Sequence, residues 1–115
     1  MKTVCYEDVW AFWLDDSCYQ IARGVRYLAE PSEVSQDFWK AIIEPEIPRL
    51  EKYHGVKIRC LGGVVQVAKH QWVFDLYDST DLRGWKFDAV SGVLLGYSSD
   101  AIEQFLVNGC RNEHV

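Results

Sequence analysis

Apolar and polar positions alternate with a period of two through much of residues 56–97, and with a helical period on either side of that stretch. Alternation at period two marks a half-buried strand, because successive side chains point to opposite faces. Five runs bounded by Gly, Ser or Asp carry this signal: 56–61, 64–68, 71–77, 84–90 and 93–97. Gly62-Gly63 separates the first two and suits a two-residue hairpin turn, which needs positive φ. Ser91-Gly92 stands in the same relation to the last two. Residues 78–83 include Asp78, Ser79, Thr80 and Asp81, which suit a longer loop.

Parity tests the register. Val65 and Val67 share one face, and Trp72, Phe74 and Leu76 share one face. An unbroken strand from 64 to 77 would set these two groups on opposite sides. The chain is therefore expected to turn near Lys69-His70, as a hairpin. Pairing the five strands as a meander then gathers Ile58, Cys60, Val65, Val67, Trp72, Phe74, Leu76, Trp85, Phe87, Ala89 and Leu94 on one apolar face. The other face holds Lys57, Arg59, Gln66, Gln71, Asp75, Lys86 and Asp88, together with Val73, Tyr77, Val90, Val93, Leu95 and Tyr97.

Helical spacing governs the N-terminal half. Tyr6, Val9, Trp10, Trp13 and Leu14 form the stripe of a first helix. Asp15 and Asp16 oppose the negative end of its dipole, so it is expected to stop there. Ser17-x-x-Gln20 reads as a capping box that opens a second helix, with Cys18, Ile21, Ala22, Val25, Leu28 and Ala29 as its stripe. Gly24 weakens that helix by ~1 kcal/mol relative to Ala, and Pro31 ends it. Ser35 caps a third helix with Phe38, Trp39, Ile42 and Ile43 on its apolar side. Pro45 predicts a kink or break, and Gly55 a stop. Ser99 or Asp100 caps a last helix.

These elements predict an α+β fold with an antiparallel meander sheet of about five strands. N-terminal helices and one C-terminal helix are expected on one face of the sheet. A single domain over 1–115 is expected: helical 4–54, sheet 56–97, C-terminal helix 99–108 and a mobile tail 110–115. In outline this resembles the cone-shaped or cystatin-like α+β folds, in which a curved sheet wraps a helix. The likeness is one of architecture alone and implies no activity.

Composition narrows the function classes. The chain has 115 residues, of which 49% are hydrophobic and 14% aromatic, enough for a packed core without staples. The net charge of −5 and scattered Lys and Arg argue against nucleic acid as a partner, since phosphate contacts need clustered cations. No apolar run approaches the ~20 residues of a membrane span, and Met1-Lys2 precedes Glu7 and Asp8, not a signal-peptide core. A soluble, cytoplasmic protein is expected. Cys5, Cys18, Cys60 and Cys110 form no CxxC pair and have no His at ligand spacing, so reduced thiols and no metal are expected.

No catalytic motif is present, and neither a catalytic residue nor a cofactor is assigned. His54 suits a helix C-cap, His70 a solvated turn, and His114 lies in the tail. Three groups of residues qualify as site candidates. Arg59, Asp75, Lys86 and Asp88 converge on one face as a polar cluster, which reads equally as cross-strand ion pairing. Trp10, Trp13, Trp39, Trp72 and Trp85 supply either core or the lining of a pocket between helices and sheet. Val73, Tyr77, Val90, Val93, Leu95 and Tyr97 form an apolar patch of the kind that marks contacts. The reading is a non-enzymatic interaction or ligand-binding domain, acting as a homodimer or by docking a protein partner on that amphipathic outer sheet face. Small acidic immunity-type proteins and the cargo proteins of mobile genetic elements share this general character. The alternative is a small enzyme or carrier that holds a small apolar ligand in an aromatic pocket.

Overall fold

The computed structural model describes residues 9–79 and 85–96. The start of the first helix, the expected helix over 99–108 and the tail lie outside the described residues. So do Cys5, Tyr97, Cys110 and His114.

The class is α+β, with three strands instead of five. In chain order the elements are α1 (Trp10–Ala22), β1 (Leu28–Glu33), α2 (Gln36–Phe38), α3 (Ile47–His54), β2 (Lys57–Leu61), β3 (Val64–Ala68), α4 (Gln71–Tyr77) and α5 (Trp85–Leu94). The sheet is antiparallel in the order β1-β3-β2.

The β2–β3 hairpin follows the sequence. Gly62 and Gly63 take φ of 59° and 86°, both in the left-handed region that a two-residue hairpin demands. Ile58 pairs with Val67 and Cys60 with Val65, so the apolar positions share a face as parity requires. β1 was expected to be helical up to Ala29. Its sequence, LAEPSE, is poor in strand formers, and Pro31 lacks a donor. It survives as an edge strand because two of its residues, Glu30 and Pro31, bulge opposite the single Gln66. Edges and bulges are where sheets tolerate proline.

One helix replaces the first two expected ones. Ser17 is buried inside α1 and opens nothing, and Asp16 accepts from Gln20 Nε2 at 2.8 Å one turn on. The helix ends at Gly24, whose φ is 78°. Val25 N–H donates to Gln20 O and Gly24 N–H to Ile21 O, the paired bonds of a Schellman stop.

Ser35 caps α2, its Oγ accepting from Phe38 N–H at 3.1 Å. Pro45 cannot donate to the helical ladder. The helix widens to π over Trp39–Ile43, tightens to 3-10 over Glu44–Glu46, and resumes as α3. Gly55, at φ 71°, stops α3.

The remaining three expected strands are absent. Residues 71–77 form α4, and the expected strands over 84–90 and 93–97 give way to α5, with Tyr97 outside the described residues. β3 does end before Lys69-His70, but a helix and not a hairpin follows.

The N-terminal helices share one face of the sheet, as expected, and the other face is covered by α4 and α5, in the stretch expected to be strands. Ala29, Ile58, Val65 and Val67 meet Trp13, Leu14, Cys18, Ile21, Trp39, Ile43 and Leu50 on one side of the sheet. Leu28 and Ala68 meet Val73, Phe74 and Leu94 on the other, with Tyr77, Val90 and Leu95 packed around them. β3 is thus buried on both faces. Among the described residues no helix is long and apolar enough to cross a membrane.

Candidate functional site

Of the polar candidates, Arg59 and Asp75 take separate partners. Arg59 projects from β2 onto the α4 side of the sheet, where its Nε donates to Gln66 Oε1 at 2.8 Å. Its Nη1 and Nη2 grip both carboxylate oxygens of Asp78, at 2.5 and 2.7 Å. Its guanidinium lies 4.2 Å from the centroid of the Phe74 ring. Asp75 is exposed on α4 and accepts from Gln71 Nε2 at 3.1 Å. Asp88 lies in the first turn of α5. Lys86 belongs to the same helix, and its side chain is outside the described residues. The partner of Arg59 is therefore Asp78, which the sequence suggests only as a loop former.

The Arg59 cluster continues inward. Gln66 is fully buried, yet its Nε2 donates to Glu30 Oε2 at 2.8 Å across the β1 bulge. The Arg59 hydrogen bond, with its charge, holds the Asp78 carboxyl below the usual carboxylate range. Burial, helped by the Glu30 carboxylate, pushes the Tyr77 phenol above its ordinary value. Each polar side chain here already has a protein partner, so the cluster joins β1, β3, β2 and the end of α4.

A second polar link joins two helices. His54 was expected to cap its own helix. Its Nε2 instead meets Asp15 Oδ1 at 2.8 Å, linking α3 to α1. The thiol of Cys18, one turn along α1, is pushed up to about 12 by burial and by the carboxylates of Asp15 and Glu51. A thiol so held stays protonated at neutral pH and is a poor nucleophile.

Val73 and Tyr77 lie on α4, Val90 and Val93 on α5 and Leu95 just after it, not on a sheet face, and Tyr97 lies outside the described residues. Val73 is 1% exposed, and Tyr77, Val90 and Leu95 pack against the same cluster. Only Val93 among the described members is exposed. The amphipathic outer sheet face does not exist in that form, because α4 and α5 cover that side.

The tryptophans divide. Trp13 and Trp39 are buried in the larger core, and Trp10 packs at its margin. Trp72 is 47% exposed, with its ring 5.4 Å from Tyr27 and 6.4 Å from His70 between centroids. Trp85 is in α5, its side chain outside the described residues.

Trp10 and Trp13 share a feature. They line a groove of about 990 Å³ along the start of α1, closed on one side by Arg49 and Leu50 of α3. Val9, Ala11, Phe12 and Tyr19 add to its apolar lining. Phe12 is 83% exposed there. Among the described residues its charged groups are Asp15, Asp16 and Arg49, and Arg49 is already paired with Glu46 at 2.9 Å. The missed signal was Phe12: it falls outside the apolar stripe of its own helix, so it has no place in the core.

The chain matches no family model, no curated protein and no solved structure.

Proposed function

We propose that this chain is a non-enzymatic binding domain that docks a partner protein on the aromatic groove of α1. One observation carries the reading: a phenylalanine 83% exposed on a well-formed helix, beside two tryptophans that line the same groove. Large aromatic side chains with a polar rim are the usual anchors of a protein interface.

Charge selects the occupant. Asp15 and Asp16 sit in the groove, and Arg49 is neutralised by Glu46. The whole chain carries −5. A second copy brings the same sign and is repelled, whereas a basic amphipathic helix places apolar anchors between the tryptophans and cations against the aspartates. This retains the immunity-type reading of a small acidic domain that engages a partner, and moves its surface from the sheet to α1.

The test pairs light scattering with amide-shift mapping, using an amphipathic helical peptide of Leu and Lys and its Leu and Glu counterpart. The expected result is a monomer whose α1 and α3 amides respond to the Lys peptide alone. Phe12→Ser should weaken that binding about tenfold, in the range of an interface anchor, while leaving the melting temperature unchanged. A stable dimer of the isolated chain, or shifts centred away from α1, would overturn the reading.

A further inference from the structure

Beyond the C-terminal end of α1 lies a second, smaller cavity of about 320 Å³. The groove described above belongs to the other end of the helix, so the two are separate sites. Arg26 and Lys69 bring two cations to the cavity, with the imidazole of His70 beside them. Ile21, Val73 and Val93 supply apolar walls. None of its described lining residues is Asp or Glu, in a chain with 17 acids against 12 Lys and Arg.

Among the described residues neither Arg26 nor Lys69 forms an ion pair. Arg26 Nη2 donates at 2.6 Å to Gln20 Oε1, a neutral acceptor. Its Nε is shut off from solvent and has no hydrogen-bond partner among the described residues. A buried donor left unpaired costs about 1–3 kcal/mol, more on a charged group. With Nε covered, an anion in the cavity would meet this guanidinium through its terminal nitrogens, whose donors suit an oxyanion. Gly96, at φ 83°, packs closely on this arginine: a Cβ there would lie 3.2 Å from Arg26 Cβ.

The aromatic surroundings add a second preference. Tyr27 lines the cavity, and Trp72 sits against both Tyr27 and His70, its plane inclined 13° to the imidazole. Flat rings beside apolar walls favour a ligand with a flat, apolar body.

We propose that this cavity binds a small oxyanion carried on an aromatic ring, of the aryl phosphate class, with Arg26 and Lys69 holding the anion. Val93, exposed in its apolar wall, faces the ring. A cavity of this size holds one small molecule and not a chain.

Phenyl phosphate and inorganic phosphate are the probes, titrated into the folded protein and followed by amide shifts. Saturable shifts at Gly24–Tyr27, Lys69 and His70 are expected, with phenyl phosphate at least about tenfold tighter than inorganic phosphate. Lys69→Gln changes an exposed residue and leaves the fold intact, and it should weaken phenyl phosphate about tenfold, the scale of one charge-assisted contact. Arg26→Gln should weaken it further. Equal affinity for the two probes, shifts centred on the α1 groove, or undiminished binding by a folded Lys69→Gln protein overturns the proposal. The Phe12→Ser protein should bind phenyl phosphate normally, so this site and the α1 groove can fail independently.

Discussion

Gly24 stands one residue past the capping residue of α1 with φ 78°, and no atom lies within 4 Å of where its Cβ would be. The space is open, but the backbone is in the left-handed region, where an L side chain costs about 1 kcal/mol. Gly24→Ala should therefore destabilise the protein by about 1 kcal/mol in urea titration. A glycine inside a helix gives the opposite sign, since Ala there gains about the same amount. The helical stripe that runs on through Val25, Leu28 and Ala29 favours that second reading, because periodicity cannot mark where a helix stops. Only the Schellman bonds of Gly24 and Val25 identify the residue as a terminator. Gly55 was legible for the converse reason: it follows the last apolar position, with a β-run immediately after it.

At the scale of elements, α4 shows how a short run deceives. Trp72, Phe74 and Leu76 alternate as a strand would, whereas Val73, Phe74 and Tyr77 lie on one side of a helix. Seven residues satisfy both periods. The second core decides for the helix, burying Val73 and Phe74 against Leu28, Ala68 and Leu94 and leaving Trp72 and Leu76 exposed. Val73→Ala should cost about 2 kcal/mol, the loss of buried methyl groups and the space they leave. Leu76→Ala should cost under about 1 kcal/mol. A strand in the expected register reverses that order, so the two melting curves distinguish the structures. β1 failed to show for a different reason: its pairing comes from β3, and LAEPSE has no β-branched or aromatic residue to mark a strand. Helix α3 and the β2–β3 hairpin carry their own terminators and were legible throughout.

Across the whole molecule, the Arg59 cluster is the polar link between layers. Gln66 sits at its centre, touching Glu30 on one side and Arg59 on the other, and Asp78 closes it after α4. Asp78 is nearly half exposed, so its pair with Arg59 contributes about 1 kcal/mol or less after screening by solvent. Its folded-state carboxyl titrates below the ordinary value, chiefly through the Arg59 hydrogen bond. A depressed pKa gives stability that is fully present above the unfolded value of about 3.9 and lost as pH falls through the folded value. Asp78→Asn should be less stable than the parent at neutral pH, and the gap should close as pH falls from about 4 through that folded value. Chemical denaturation of both proteins across this range checks it. A gap that persists unchanged to the lowest pH points to geometry, not charge, as the contribution of Asp78.

Local chemistry alone determined the α+β class, the Gly62-Gly63 hairpin, the Ser35 cap, the break at Pro45 and the stop at Gly55. Each depends on a residue whose backbone or side chain permits few alternatives. Tertiary structure decided whether residues 71–77 and 85–94 were helix or strand, because their apolar patterns satisfy both periods until a second face of the sheet needs covering. It decided β1, whose hydrogen bonds come from a strand far along the chain. It also decided the sites. Arg59 found Asp78 instead of Asp75, and Arg26 and Lys69 came to line one cavity, because those neighbours arise only when helices close over both faces of one small sheet.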